Sequence, residues 1–340
     1  MTDSVARQRW QRTRFHIVSG KGGTGKTTAA AALALALASG GKRTLLIEVE
    51  GRQGIAQLFD TPPLPYEERK IAIAPGGGEV FALAIDTEAA LLEYLEQFYN
   101  LKRAGSALRK SGVIDFATTI APGIRDVLLT GKSIESVNRM SAGRYAYDAI
   151  VMDAPPTGRI ARFLNATVEV RNIAKVGPIK KHADSVLNVI QSNKTMVHLV
   201  TLLEEMPVQE TIDGIAELKE NQLPFGSVII NMVRDSRLVG SGDPGDLINM
   251  TPTAHKAKVK EIQSGLAAAG LATKFSTAAT AGSLLEESVG YAERLELEQN
   301  ERARLESTGT ELIELPYLAN GIDLGGLYEL ATLFKEQVGF

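Results

Sequence analysis

The sequence of 340 residues contains no cysteine. This excludes disulfides, thiolate metal sites and thiol catalysis. A strong charge of either sign is also missing, because 37 basic residues nearly balance 40 acidic ones and the formal net charge is −3. No overall field therefore draws in nucleic acid or an anionic membrane. The longest apolar run, residues 29–38, is about half of the roughly 20 residues that cross a bilayer. We expect a cytoplasmic protein with no nucleic-acid partner and no integral membrane segment.

The N-terminal residues MTDSVARQRWQRTRF carry four arginines and no apolar stretch, so they do not fit a secretory signal. We expect residues 1–14 to form a flexible basic tail. The length allows one large α/β domain or two small ones, and a hydrophobic content of 44% is enough for a sizeable core. From the succession of predicted strands and helices given below, we expect residues 15–340 to form a single domain.

Residues 20–27, GKGGTGKT, match the phosphate-loop pattern G-x-x-x-x-G-K-[ST]. A β-rich stretch at 15–19 precedes them, and a helical pattern at 27–39 follows and stops at two glycines. Backbone N–H groups of such a loop bind phosphate oxygens, Lys26 bridges the β- and γ-phosphates, and the Thr27 hydroxyl is a ligand for Mg²⁺. The predicted ligands are therefore ATP and Mg²⁺, with nucleotide contacts from Gly20, Lys21, Gly22, Gly23, Thr24, Gly25, Lys26, Thr27 and Thr28.

Two further segments place carboxylates after predicted strands. Glu48 and Glu50 end the apolar run 43–49, and Asp153 follows the run 147–152. In doubly wound sheets, ligands bind beyond the carboxyl ends of the strands, so these side chains are expected near the phosphates.

The stretch KGGTGKT, with a second lysine at position 21, resembles the deviant phosphate loop of the ArsA and tail-anchored-protein-targeting family of ATPases. The segment DAPPTGRIARFL from Asp153 onward resembles the same family. The resemblance implies that Lys21 reaches the phosphates of a partner subunit, and that Asp153 holds Mg²⁺ through water. It also implies that Glu50 orients the attacking water and is a second water-mediated Mg²⁺ ligand. The family carries Asp-Pro where this chain has Glu50 followed by glycine, which predicts slow hydrolysis.

The resemblance extends along the chain. It implies that Asn231, near the end of the run SVIINM, contacts the adenine, and that Pro316 opens a loop over the base. The expected fold is an α/β P-loop NTPase with a mainly parallel, doubly wound sheet and helices on both faces. Its predicted strands lie at 15–19, 43–49, 80–85, 147–152, 195–202, 226–232 and 310–315, and a helical subdomain is inserted at about 87–142.

The predicted function is a Mg²⁺-dependent ATPase in which ATP switches a dimer between open and closed forms, so that it acts on a client or partner protein. The dimer is either a homodimer or a heterodimer with a paralogue, and a hydrophobic client is left open. Two alternatives also stay open at this point: a nucleotide-stabilised binding subunit with little turnover, and a P-loop transferase or ligase.

Overall fold

A mainly parallel sheet forms the centre of the computed structural model, which describes residues 3–99, 122–173, 178–234, 244–271 and 277–339. Its eight strands follow the order β10-β9-β8-β1-β7-β2-β4-β3, and β3 alone among the eight runs antiparallel to its neighbour. The bounds are β1 (Phe15–Gly20), β2 (Arg43–Glu48), β3 (Arg69–Ala74), β4 (Gly78–Ala84), β7 (Ala149–Asp153), β8 (Thr195–Thr201), β9 (Phe225–Val233) and β10 (Glu311–Pro316); β5 (Met140–Ser141) and β6 (Arg144–Tyr145) pair as a separate hairpin.

Helices surround the sheet. In chain order they are α1 (Asp3–Arg12), α2 (Lys26–Ala38), α3 (Gly54–Leu58), α4 (Thr87–Tyr99), α5 (Pro122–Asn138), α6 (Thr157–Ile173), α7 (Pro178–Ile190), α8 (Glu205–Glu220), α9 (Pro244–Ile248), α10 (Pro252–Leu266), α11 (Ala278–Glu306) and α12 (Leu324–Val338). A π-helical turn, Ala267–Leu271, follows α10. Within the described ranges, no helix is long and apolar enough to cross a membrane.

The burial of the central elements follows from their composition. Strands β1, β7 and β8 are buried along their whole length, as expected for parallel strands that are covered on both faces. Helix α2, with the sequence KTTAAAALALALA, is rich in alanine and leucine all round and packs between the sheet and α12. The predicted α/β P-loop NTPase fold is thus confirmed.

Every predicted strand is present within a few residues of its expected bounds, but β3 was not predicted. Its sequence RKIAIA is only partly buried, and it forms a hairpin with β4 at the sheet edge. The turn uses Gly76 and Gly77, both with positive φ. Helices α4 and α5 lie in the range predicted for the inserted subdomain, and residues 100–121 of that range lie outside the described residues.

The N-terminal segment differs from the expected flexible tail. Residues Asp3–Arg12 form helix α1, and Trp10 is only 2% exposed. The indole stacks on His198 and His16, with ring centroids 4.8 and 5.4 Å away, and its Nε1 donates to the carboxylate of Glu311 at 3.1 Å. The prediction of flexibility was therefore wrong for this helix. Helix α1 is held in place by the stack of Trp10 on histidines of β1 and β8, and the local pattern of arginines does not reveal this tertiary contact.

Candidate active site

The phosphate loop follows β1, at the point in the sheet where the strand order reverses. Strand β1 pairs with β7 on one side and β8 on the other, and it ends at Gly20, directly before the loop. Gly25 adopts a left-handed conformation, with φ of 84°, and helix α2 begins at Lys26. The loop therefore joins the carboxyl end of a central strand to a helix N-terminus, which is the arrangement that binds phosphate.

Side chains from outside the loop fix its shape. Asn231, at the end of β9 and 4% exposed, donates from Nδ2 to the carbonyl of Thr24 at 2.9 Å. A Cβ on Gly25 would stand 2.2 Å from that same Nδ2, so glycine is required there both for space and for its positive φ. Ser19 donates to the carbonyl of Pro155 at 2.6 Å, which joins β1 to the segment after Asp153. Asn231 thus contacts the loop itself, and its predicted contact with adenine stays a prediction.

Thr27 and Asp153 meet as the motif predicts. The Thr27 hydroxyl donates to Oδ2 of Asp153 at 2.7 Å. The other oxygen, Oδ1, is buried and has no hydrogen-bond partner among the described residues. Burial raises the pKa of Asp153 to about 6; the hydrogen bond from Thr27 and the charge of Lys26 act in the opposite direction, and Glu48 and Glu50 add to the rise. A hydroxyl beside a carboxylate with an open oxygen fits the hard oxygen ligands that Mg²⁺ prefers.

Lys26 is 8% exposed. Burial lowers the pKa of its ammonium group, and this effect is opposed by the negative charges of Asp153 and Glu50. Lys26 therefore lies near the carboxylates of Asp153 and Glu50 at the start of α2, where it can neutralise phosphate oxygens.

The two glutamates at the carboxyl end of β2 have different surroundings. Glu48 is 2% exposed, and its carboxylate accepts hydrogen bonds from the backbone N–H groups of Gln53 and Ile55. Glu50 is half-buried, and its Oε2 lies 3.5 Å from the guanidinium of the exposed Arg52. Glu50 thus keeps a carboxylate at the edge of the site, whereas Glu48 is used within the fold.

The two lysines of the loop, Lys21 and Lys26, have different partners. Lys21 Nζ lies 2.7 Å from Oε1 of Glu210 on helix α8, and both side chains are about one-third exposed. The backbone carbonyl of Lys21 accepts a hydrogen bond from the Thr24 hydroxyl at 2.8 Å. Lys21 therefore makes an ion pair within its own chain, and its predicted contact with a partner's phosphates stays a prediction.

The other predicted nucleotide contacts surround this centre. Gly22 and Gly23 form the exposed tip of the loop, and Thr28 lies half-buried in the first turn of α2. Pro316 ends β10, and the next residue, Tyr317, donates its N–H to the carbonyl of Val233 at 2.9 Å. Pro316 is therefore beside the carboxyl end of β9, on the edge of the sheet that carries Asn231.

The sequence predicts no role for Glu210, and for Gln53 it shows only a departure from the family resemblance, which often has histidine at that position. Gln53 has a φ of 58°, and its side chain holds the backbone of Leu64, with Nε2 to O at 3.1 Å and Leu64 N to Oε1 at 2.7 Å. Glu210 is one of several glutamates on α8, so nothing in the sequence distinguishes it. A second signal for Gln53 was its position shortly after a strand with two carboxylates.

Together the sheet and this loop define a P-loop NTPase. A family model described as Anion-transporting ATPase matches residues 13–191, more than half of the chain, and the protein belongs to that ATPase family. The chain is 52% identical over 325 residues to "ATPase BagA" of Mycobacterium tuberculosis (strain ATCC 25618 / H37Rv), which covers 95% of this chain and 93% of the relative. It is 30% identical over 176 residues to "ATPase get3" of Schizosaccharomyces japonicus, covering 52% and 51% of the two chains. The protein is an ATP hydrolase.

Proposed function

We propose that this ATPase binds ATP with Mg²⁺ between two subunits, and that hydrolysis opens and closes the dimer so that it acts on a client or partner protein in the cytoplasm. The observation that carries the proposal is the hydrogen bond of 2.7 Å from Thr27 to Asp153. It brings the metal-binding hydroxyl of the phosphate loop to the carboxylate that ends β7, and Lys26 is buried beside them.

Each group of the site has a role in this reaction. The loop N–H groups and Lys26 hold the β- and γ-phosphate oxygens. Thr27 would be a direct Mg²⁺ ligand, while Asp153, and Glu50 as a second carboxylate, would hold the ion through water. The bound ion would neutralise charge that develops on the phosphates. Glu50 orients a water whose oxygen attacks the γ-phosphorus, the bond from that phosphorus to the β–γ bridging oxygen breaks, and the carboxylate takes the proton.

The extra methylene of glutamate displaces the carboxylate by about 1 Å relative to an aspartate, a misplacement that costs on the order of 100-fold in rate. Slow turnover is therefore part of the proposal. At the base, Asn231 and Pro316 contact the adenine, in keeping with their position at neighbouring strand ends.

The proposal of a dimer is supported by the different surroundings of the two lysines. Lys26 faces Asp153 and Glu50, whereas Lys21 pairs with Glu210 at the protein surface. From that surface position Lys21 can exchange Glu210 for the phosphates of a second subunit, which would be another copy or a paralogue.

The client surface is proposed on the helices α4, α5 and α7. A cavity of about 350 Å³ lies among them, and its lining combines apolar side chains, such as Leu128, Ile134 and Val186, with the charged side chains of Glu93 and Lys132. This mixed lining suits a client that has both apolar and polar groups better than a purely apolar one.

The test is steady-state ATP hydrolysis with Mg²⁺, measured beside light scattering for the wild type and for Glu50→Gln. The wild type should hydrolyse ATP slowly, and Glu50→Gln should lose turnover while keeping ATP-dependent dimers. Unchanged turnover in Glu50→Gln would reject the water-orienting role. ATP-dependent assembly without any turnover in the wild type would favour a nucleotide-stabilised binding subunit.

A further inference from the structure

The buried carboxylate of Glu48 closes a loop around Glu50. Its Oε1 accepts the N–H of Gln53, and its Oε2 accepts the N–H of Ile55 at 3.2 Å. The residues between the two ends of this loop are Val49, Glu50, Gly51 and Arg52. We call residues 49–53 the Glu50 loop. Because the backbone on either side of Glu50 is fixed by one side chain, the position of Glu50 depends on Glu48.

The capping of α3 shows why Glu48 is needed. The residue before this helix, Gln53, makes no capping hydrogen bond with its side chain. It uses its amide on both the N–H and the carbonyl of Leu64 instead. The N–H groups of Gln53 and Ile55 at the start of α3 are therefore paired by Glu48, since a buried N–H without a partner is unfavourable.

The segment held by Glu48 also contacts the centre of the site. A Cβ on Gly54, the first residue of α3, would lie 3.3 Å from Cγ2 of Thr27 and 3.7 Å from its Oγ1. Thr27 in turn donates to Asp153, which is in register with Glu48 on the neighbouring strand. In-register residues of parallel strands point to the same face of a sheet, so Glu48 and Asp153 lie side by side.

We propose that Glu48 is a positioning residue for hydrolysis: it holds the Glu50 loop and the start of α3 against Thr27, and so sets where the Glu50 carboxylate stands. This inference rests on the proposed role of Glu50. Both oxygens of Glu48 accept backbone N–H groups, so the role proposed for this residue is to position the loop and not to act on the reacting atoms.

The test compares Glu48→Gln with Glu311→Gln. Glutamine keeps the shape of the side chain but replaces one acceptor oxygen with a donor amide, which cannot accept the second N–H. Glu311 is a matched control, since it is a partly buried glutamate that accepts the Trp10 indole N–H outside the active site. Three quantities are measured: kcat, the affinity for a non-hydrolysable ATP analogue, and the hydrogen exchange of backbone amides in residues 53–58 without nucleotide.

Glu48→Gln should lower kcat by about ten-fold or more, because Glu48 positions the group that acts in the chemical step. The affinity for the analogue should change by less than about three-fold, because the phosphate loop binds the nucleotide and is left unchanged. The amides of residues 53–58 should exchange faster than in the wild type. Glu311→Gln should leave all three quantities near those of the wild type. A kcat of Glu48→Gln no lower than that of the control would overturn the proposal. So would a fall in kcat with unchanged exchange, since Glu48 would then act directly on the reaction.

If Glu48→Gln does not fold, Glu48→Asp tests the same contact, because it keeps the charge and both acceptor oxygens but draws them back from the N–H groups of Gln53 and Ile55. It should also lower kcat with little change in analogue affinity, and a normal kcat would reject the proposal. Failure of the proposed function is distinguishable from failure of this inference. A wild type without turnover contradicts the proposed function. The exchange measurement needs no turnover, so it still shows whether Glu48 holds residues 53–58.

Discussion

The ammonium group of Lys21 lies 2.7 Å from Oε1 of Glu210, within the same chain. One turn further along α8, Gly214 packs so closely against Thr157 that a Cβ on Gly214 would stand 2.4 Å from Cγ2 of that threonine. Helix α8 therefore contacts both the phosphate loop and the start of α6, which follows the Asp153 segment. If Lys21 binds the phosphates of a partner subunit, it must first leave Glu210.

This competition predicts that Glu210→Gln favours the ATP-dependent dimer. An ion pair as exposed as this one contributes up to about 1 kcal/mol, and a dimer of two copies breaks two such pairs, so we expect the dimer dissociation constant to fall by at most about 30-fold. Light scattering across a protein dilution series with ATP and Mg²⁺ measures the change. Glu220→Gln, at the exposed end of the same helix, is the control and should match the wild type. A dimer that is weaker in Glu210→Gln than in the wild type would mean that the ion pair supports assembly.

The contact between Asn231 and Thr24 predicts that the loop depends on an amide donor at position 231. Asn231→Asp places a carboxylate oxygen against the Thr24 carbonyl and removes the donor, so ATP affinity should fall by about ten-fold or more, as expected when a buried acceptor loses its partner. Calorimetric titration with the ATP analogue measures this. Asn249→Asp is a suitable control, because the exposed Asn249 also donates to a carbonyl, that of Gly245 at 3.1 Å. Equal affinities in the two variants would contradict the assignment.

The stacked histidines under Trp10 predict a loss of stability in acid. Burial lowers the pKa of His16 to about 3 and that of His198 well below its usual value, with Arg9 and Glu311 as the charged groups nearby. Both histidines are neutral in the folded state, whereas in the unfolded chain they take up protons below about pH 6.5. Stability is therefore full above pH 6.5 and falls as the pH drops below it, by about 1.4 kcal/mol per pH unit for each histidine.

The measurement is the free energy of unfolding in urea at pH 7.5, 6.5 and 5.5 for the wild type and for His16→Phe. Phenylalanine keeps a ring in the stack and removes one titrating group, so the variant should show a shallower loss between pH 6.5 and 5.5. The raised pKa of Asp153 stabilises the folded protein in acid, but it is common to both proteins and cancels in the difference. Parallel pH profiles would show that His16 is not the group responsible.

The parts of the fold that the sequence predicted are those set by local pattern. The phosphate loop, the buried strands and Asp153 at the end of β7 are each encoded within a short stretch, and the parallel topology then brings Thr27 and Asp153 together. The parts that could not be predicted depend on distant contacts. Trp10 is buried by histidines from two strands, and Lys21 pairs with a glutamate about 190 residues further along the chain, so neither contact is visible in the local sequence.

Glu48 shows the same limit at the scale of a few residues. Its position at the end of β2 predicted a carboxylate that points to the phosphates, as for Glu50. The structure instead uses Glu48 on the N–H groups of Gln53 and Ile55, because the side chain that would otherwise cap α3 is occupied at Leu64. Which of two nearby carboxylates bonds the backbone depends on the path of the following loop, and strand patterning does not specify that path.

The most direct test of the central claim is complementation between two inactive variants. Lys26→Ala cannot hold ATP in its own loop, and Lys21→Ala cannot supply the lysine to a partner, so each alone should be without measurable turnover. When the two are mixed, the mixed dimer has one site with an intact Lys26 from one subunit and an intact Lys21 from the other. We predict that ATP hydrolysis returns in an equal mixture to at most about a quarter of the wild-type rate, because half of the dimers are mixed and each has one intact site of two. A mixture as inactive as its components would contradict the sharing of Lys21 between subunits.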